Sequence, residues 1–234
     1  MRPVVGSLAS LLLFSMVLAS SVSLQNQEIP SSQQAQLQSL FRPLFVRFLL
    51  TGKAMQIHGQ SSFDVFAKPV VSPDATSVRY DGFTTFIDGE DEFTYILADG
   101  AAYVVGSSHS DNQATKTVRC LSSITPFDEI VAALNNLTAI PYSTVQDKPL
   151  DCVDETAYET SFGGKEFVLC QTRGKEYLFE AYSDGIMMVV EHWIGDLNIS
   201  APTLTDGSKT CKTVAKATVI DSTARALLTG GIST

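Results

Sequence analysis

The chain is short of positive charge, short of histidine and without a long apolar run, and each shortage argues against a class of function. Its 16 Lys and Arg stand against 25 Asp and Glu, for a formal net charge of −9, and the basic residues form no cluster. Such a chain has no electrostatic grip on a phosphate backbone or an anionic bilayer, so no nucleic-acid partner is expected. Its most apolar segment, Leu11–Leu18, falls short of the ~20 residues that cross a bilayer, so no transmembrane segment is expected. The closing stretch, Thr213–Thr234, carries Lys216, Asp221 and Arg225 and lacks the apolar tail of a lipid-anchor signal.

Catalytic and metal signatures are missing as well. No G-x-S-x-G elbow and no P-loop occurs, and no two cysteines have CxxC spacing. Zinc is disfavoured by that spacing and by three scattered histidines, so no metal and no cofactor is expected. Gly106-Ser107-Ser108-His109-Ser110-Asp111 puts serine, histidine and aspartate side by side, but triad members are brought together by folding and rarely adjoin in sequence. It reads as a hairpin loop. In Glu191-His192-Trp193 the strand alternation sends His192 to one face and Trp193 to the other, with Trp193 as an apolar anchor. The acidic run Asp88–Glu92 lacks the twelve-residue calcium-loop pattern and reads as a solvated turn. No residue is nominated as catalytic, and a protein that is not an enzyme is expected.

What is present begins at the N-terminus. Arg2, the apolar Leu11–Leu18 and the small-residue tail Ala19–Ser23 predict a signal peptide over residues 1–23. A Gln- and Ser-rich leader follows over 24–33, and one domain over 34–234, placing the product outside the cell as a secreted protein. In that oxidising setting Cys120, Cys152, Cys170 and Cys211 predict two disulfides, with three connectivities open. Asn136-Leu137-Thr138 and Asn198-Ile199-Ser200 are acceptor sequons, Asn198 within a strand-like run.

Apolar residues at Leu37, Leu40, Phe41, Leu44, Phe45, Phe48 and Leu49 follow helical spacing and predict a first helix from Gln34 to Leu49. From Met55 and Ile57 the period becomes two, through Phe63–Phe66, Val78–Tyr80, Phe93–Leu97 and Tyr103–Val105. Asp-Gly supplies the positive φ of tight hairpins, and five such pairs, at Asp81, Asp88, Asp99, Asp184 and Asp206, predict antiparallel meanders. Pro126 opens a second predicted helix over Phe127–Leu137, and strands follow at Ala157–Phe162, Glu166–Cys170, Tyr177–Tyr182, Ile186–His192 and Asp196–Ser200. In Ile186–His192 both faces are apolar, which places that strand between two packed layers. The segment Thr213–Leu228 carries no clear period.

This order of elements, closing in Trp193-Ile194-Gly195-Asp196-Leu197-Asn198-Ile199-Ser200-Ala201-Pro202, resembles the LolA/LppX-type lipoprotein carriers. The resemblance spans about Gln34 to Thr203; the four cysteines and the lack of a lipobox depart from the family. It implies an α+β fold, a strongly twisted antiparallel half-barrel wrapped around two or three helices, with a concave face that holds acyl chains. Phe41, Phe45, Phe83, Phe86, Tyr103, Met187 and Trp193 are the candidate lining of that face. The function implied is a non-enzymatic binding protein for a hydrophobic, lipid-like ligand. The alternative is a secreted interaction protein, an inhibitor, effector or surface-recognition module, that meets an extracellular protein and holds no small molecule.

Overall fold

The computed structural model describes residues 40–74, 76–108, 115–122, 129–141, 144–145, 148–149, 152, 156–171 and 177–230. The predicted signal peptide and leader, the Thr125–Asp128 entry to the second predicted helix and His109, Ser110 and Asp111 lie outside them. A first meander comprises β1 (Leu44–Leu50), β2 (Ser62–Val71), β3 (Ser77–Asp88), β4 (Asp91–Ala98), β5 (Ala101–Ser108) and β6 (Thr115–Leu121). After α1 (Ile130–Asn135) come β7 (Thr138–Pro141) and a separate two-strand ladder of β8 (Thr144–Val145) and β9 (Lys148–Pro149). A second meander follows, of β10 (Thr156–Phe162), β11 (Lys165–Cys170), β12 (Phe179–Ser183) and β13 (Ile186–His192). The last described elements are β14 (Thr218–Val219) and α2 (Ser222–Thr229).

One twelve-stranded antiparallel sheet joins both meanders in the order β6-β5-β4-β3-β2-β1-β13-β12-β11-β10-β7, with β14 beside the start of β3. Its seam is the pairing of the first strand with the last long one, Val46 opposite Val190 and Phe48 opposite Met188. The sheet is open, with β6 and β7 at its two edges.

Strand parity divides the apolar residues between two faces. Leu44, Val46 and Phe48 of β1, Val65 of β2, Leu169 of β11 and Met188 and Val190 of β13 form the main core with Val131 and Leu134 of α1 and Ala224, Leu227 and Leu228 of α2. Both helices therefore cover this face. The opposite face carries an aromatic cluster in which Phe66 stacks on Phe83 at 5.2 Å, meets Phe45 at 5.4 Å and takes Trp193 edge-on at 4.9 Å. Beside it the exposed Arg47 holds Asp64 through Nε at 2.9 Å.

Residues 193–217 run across that opposite face as a strap. Leu204 packs on Tyr103, Val105 and Val118, and Cys211 is bonded to Cys120 of β6. The strap turns at Gly100, whose carbonyl accepts hydrogen bonds from the N–H groups of Val214 and Ala215 at 2.8 and 3.0 Å. Gly100 has φ 75°, and a Cβ there would lie 2.5 Å from the Ala215 carbonyl oxygen. From the turn the chain passes to β14 and then to α2, capped by Asp221, which accepts from Ala224 N–H at 2.7 Å. The second disulfide, Cys152–Cys170, lies under Ile140 and Val168 at the β7–β10–β11 end.

Several expectations are corrected. The predicted Gln34–Leu49 helix is a strand from Leu44 onward, because β1 lies between β2 and β13 and buries residues on both faces, which mimics helical spacing. Met55 and Ile57 belong to the connection after β1 and not to β2. The Asp81-Gly82 pair sits inside β3 and is not a turn; Gly82 is required there because a Cβ would come 2.8 Å from the Phe66 carbonyl oxygen. Asp88-Gly89, Asp99-Gly100 and Asp184-Gly185 do connect consecutive strands, with each glycine at positive φ. The second helix ends at Asn135, so Leu137 lies beyond it. Asp196–Ser200 is irregular, unpaired chain within the strap rather than a strand. The unassigned C-terminal stretch supplies β14 and α2.

Candidate functional site

Between the helix-covered face of the sheet and the two helices lies a cavity of about 610 Å³, within the ~300–1,000 Å³ typical of small-molecule sites. Its floor is the alternating face of β1, β2, β3 and β13, where Val46, Phe48, Val65, Phe86 and Met188 point the same way. Its roof is Ile130, Ala133 and Leu134 of α1 and Leu228 of α2.

One end is closed by the β1–β2 connection, residues 51–61. A single 3₁₀ turn, Lys53–Met55, sets Met55 against the cavity, and Gly185 makes room for it, since a Cβ there would lie 2.9 Å from the Met55 sulfur. Ile57 and Gln60 then close a tight turn by mutual backbone hydrogen bonds of 3.2 and 2.9 Å around His58 and Gly59, both at positive φ. That turn is latched to the sheet. His58 Nε2 lies 2.9 Å from the Tyr95 hydroxyl, and its ring stacks on Phe93 with centroids 4.3 Å apart. Asp88 stands 3.8 Å from the other ring nitrogen, beyond a direct hydrogen bond.

The polar atoms of the wall are almost all committed. Thr84 donates to the Asp64 carbonyl at 2.8 Å and Thr160 to the Ala133 carbonyl at 2.7 Å. Asp81 accepts from Arg79 at 3.0 and 3.3 Å and from the Asp99 N–H at 3.2 Å. Tyr95 is engaged by His58. The Tyr80 hydroxyl, in contrast, is enclosed and has no partner among the described residues, and burial pushes its pKa well above the ordinary phenol value. No Lys, Arg or His side chain stands among the described residues of the wall.

Of the seven residues named from the sequence, the cavity takes two. Phe86 projects into its floor, and Phe83 borders it beside Gly82 while stacking on Phe66. Phe45 and Trp193 belong to the aromatic cluster of the opposite face, Tyr103 is buried beneath the strap, and Phe41 is packed in the core next to β1. Met187 faces away from the cavity and its neighbour Met188 faces in, a difference of strand parity that composition does not reveal. Sequence reasoning missed Tyr80, Thr84, Met188 and the 51–61 closure. The period-two run through β3 held the signal for the first two.

The glycosylation candidates Asn136 and Asn198 are both exposed, Asn136 just past the end of α1 and Asn198 in the strap. His192 Nε2 lies 3.3 Å from the Leu228 carbonyl oxygen. Among the described residues no group of three His, Cys, Asp or Glu side chains is placed to hold a metal ion, and no helix is long and apolar enough to cross a membrane. No known protein family and no curated protein matches this chain.

Proposed function

We propose that this chain is a secreted, non-enzymatic carrier or sensor that holds a hydrophobic, lipid-like ligand between the sheet and its two helices. The observation that carries the reading is the 610 Å³ cavity itself, walled by Leu, Val, Ile, Met and Phe side chains. Apolar side chains around an unfilled space forgo dispersion contacts, so a ligand that restores them binds without reorganising the fold. In this reading the open, twisted sheet serves as the half-barrel of a LolA/LppX-like carrier, and the 51–61 closure is its entrance. The two disulfides fit the oxidising environment that secretion implies.

The test is equilibrium binding of a solvatochromic acyl probe to the purified full chain. Ala67 lines the cavity from β2, and Ala67→Phe fills space that the ligand needs. That variant is expected to lose probe affinity at least tenfold with an unchanged far-UV spectrum, whereas Trp193→Ala, on the opposite face, is expected to retain it. Equal loss in both, or no binding by the wild type, overturns the proposal.

A further inference from the structure

The two disulfides differ in what surrounds them. Cys152 and Cys170 are 5% and 1% exposed, and they pack with Ile140 and Val168. Cys120, on the edge strand β6, is exposed, and Cys211, in the strap, is half-buried. Exchange requires a thiolate to reach a sulfur atom. Cys120–Cys211 therefore offers a target in the folded protein, whereas Cys152–Cys170 must wait for local opening.

Charge separates them in the same direction. Arg119 adjoins Cys120, and Lys209 and Lys212 flank Cys211; all three are exposed and form no ion pair among the described residues. Of the carboxylates near this stretch of chain, Asp206 accepts from the Ser208 N–H at 2.9 Å, and Asp99 lies 3.6 Å from Arg79. Cys152, in contrast, has Asp151, Asp154 and Glu155 as sequence neighbours. The chain carries a net charge of −9, yet it is locally basic where the exposed disulfide lies. Cations there concentrate an anionic thiol and favour the thiolate that departs.

We infer that Cys120–Cys211 is a redox-sensitive tie whose co-reactant is a small anionic thiol. The thiolate attacks Sγ of Cys120, on the more exposed residue, and forms a mixed disulfide with it. The S–S bond of the protein breaks, and its electron pair leaves on Sγ of Cys211, between Lys209 and Lys212. A second thiolate attacks the mixed disulfide and frees Cys120, so two thiols are oxidised to one external disulfide and one protein disulfide is reduced. The strap is then held to β6 by Leu204 packing and by the hydrogen bonds of Thr205 with Val118, at 3.0–3.3 Å. This inference is independent of what the cavity binds.

Timed differential alkylation and peptide mass spectrometry of the purified full chain under native conditions test it. The probes are mercaptoethanesulfonate, an anionic thiol, and cysteamine, a cationic one, each rate taken relative to the same thiol's rate on an uncharged small disulfide. Cys120–Cys211 is expected to open at least ~10-fold faster than Cys152–Cys170. At that bond the anionic thiol is expected to lead the cationic one about 3-fold at low salt, with the lead shrinking in about 0.5 M salt. The net charge of −9 acting alone would favour the cationic thiol, so the ranking separates the local field from the global one. Changing Lys209→Gln and Lys212→Gln together is expected to remove the lead and to leave Cys152–Cys170 unaffected. Simultaneous opening of both bonds, earlier opening of Cys152–Cys170, a faster cationic thiol, or a lead that survives the lysine changes overturns the inference.

Discussion

At the scale of single residues, what distinguishes the cavity is where polar atoms turn. Thr84 and Thr160 stand in its wall yet donate to backbone carbonyls, so their hydroxyls cost the site little polarity. His192 shows a residue-level effect that titration can read. Partial burial, chiefly, and the nearby Arg42 charge lower its pKa, and the contact with the Leu228 carbonyl opposes them less strongly. A lowered folded-state pKa means that the unfolded chain binds the proton more readily. The stability so gained is present above the unfolded value of about 6.5 and is lost as pH falls through the folded value. Because the ring is partly exposed, the effect is small. Acidification from pH 7.5 to 5 is expected to lower Tm by about 1–2 °C more in the wild type than in His192→Gln; equal losses would remove His192 from the account.

Among elements, the strap and the 51–61 closure are each fastened to the sheet, by Cys120–Cys211 and by the His58–Tyr95 contact. The strap ties β6 to the C-terminal helix through Cys120–Cys211, a closure of 91 residues, whereas Cys152–Cys170 spans 18. Chain entropy gives the longer closure about 1.4 kcal/mol more stabilisation. Replacing Cys120 and Cys211 by Ala is therefore expected to lower unfolding free energy by about 1 kcal/mol more than replacing Cys152 and Cys170, by denaturant titration at equal m-value. The reverse order would show that the strap is not what closes the fold.

Elements were legible in the sequence where one face dominates or a turn has special chemistry. The hairpins at Asp88-Gly89, Asp99-Gly100 and Asp184-Gly185 follow from residues that tolerate positive φ. Strand β1 was not legible as a strand. Leu44, Phe45, Val46 and Phe48 are buried on both sides of a central strand, and two-sided burial erases the period that separates helix from strand. The same ambiguity sent Met187 to the wrong face in place of Met188. Strand parity is fixed by pairing with β1 and β12, which no local pattern records.

For the whole molecule, the central claim is that an open antiparallel sheet and two short helices leave an apolar space that a lipid fills. Sheet, seam and disulfides all bear on that space: β1 and β13 supply its floor, and the strap brings α2 round to its roof. On that account, the formal charge of −9 is expected to keep adhesion to anionic bilayers weak. Native mass spectrometry of the detergent-free purified protein, before and after denaturation and organic extraction, addresses the claim most directly. The account predicts a bound mass that survives native spraying, leaves only on denaturation and is recovered in the extract as a lipid. A clean apo mass that persists after incubation with a total lipid extract would contradict it.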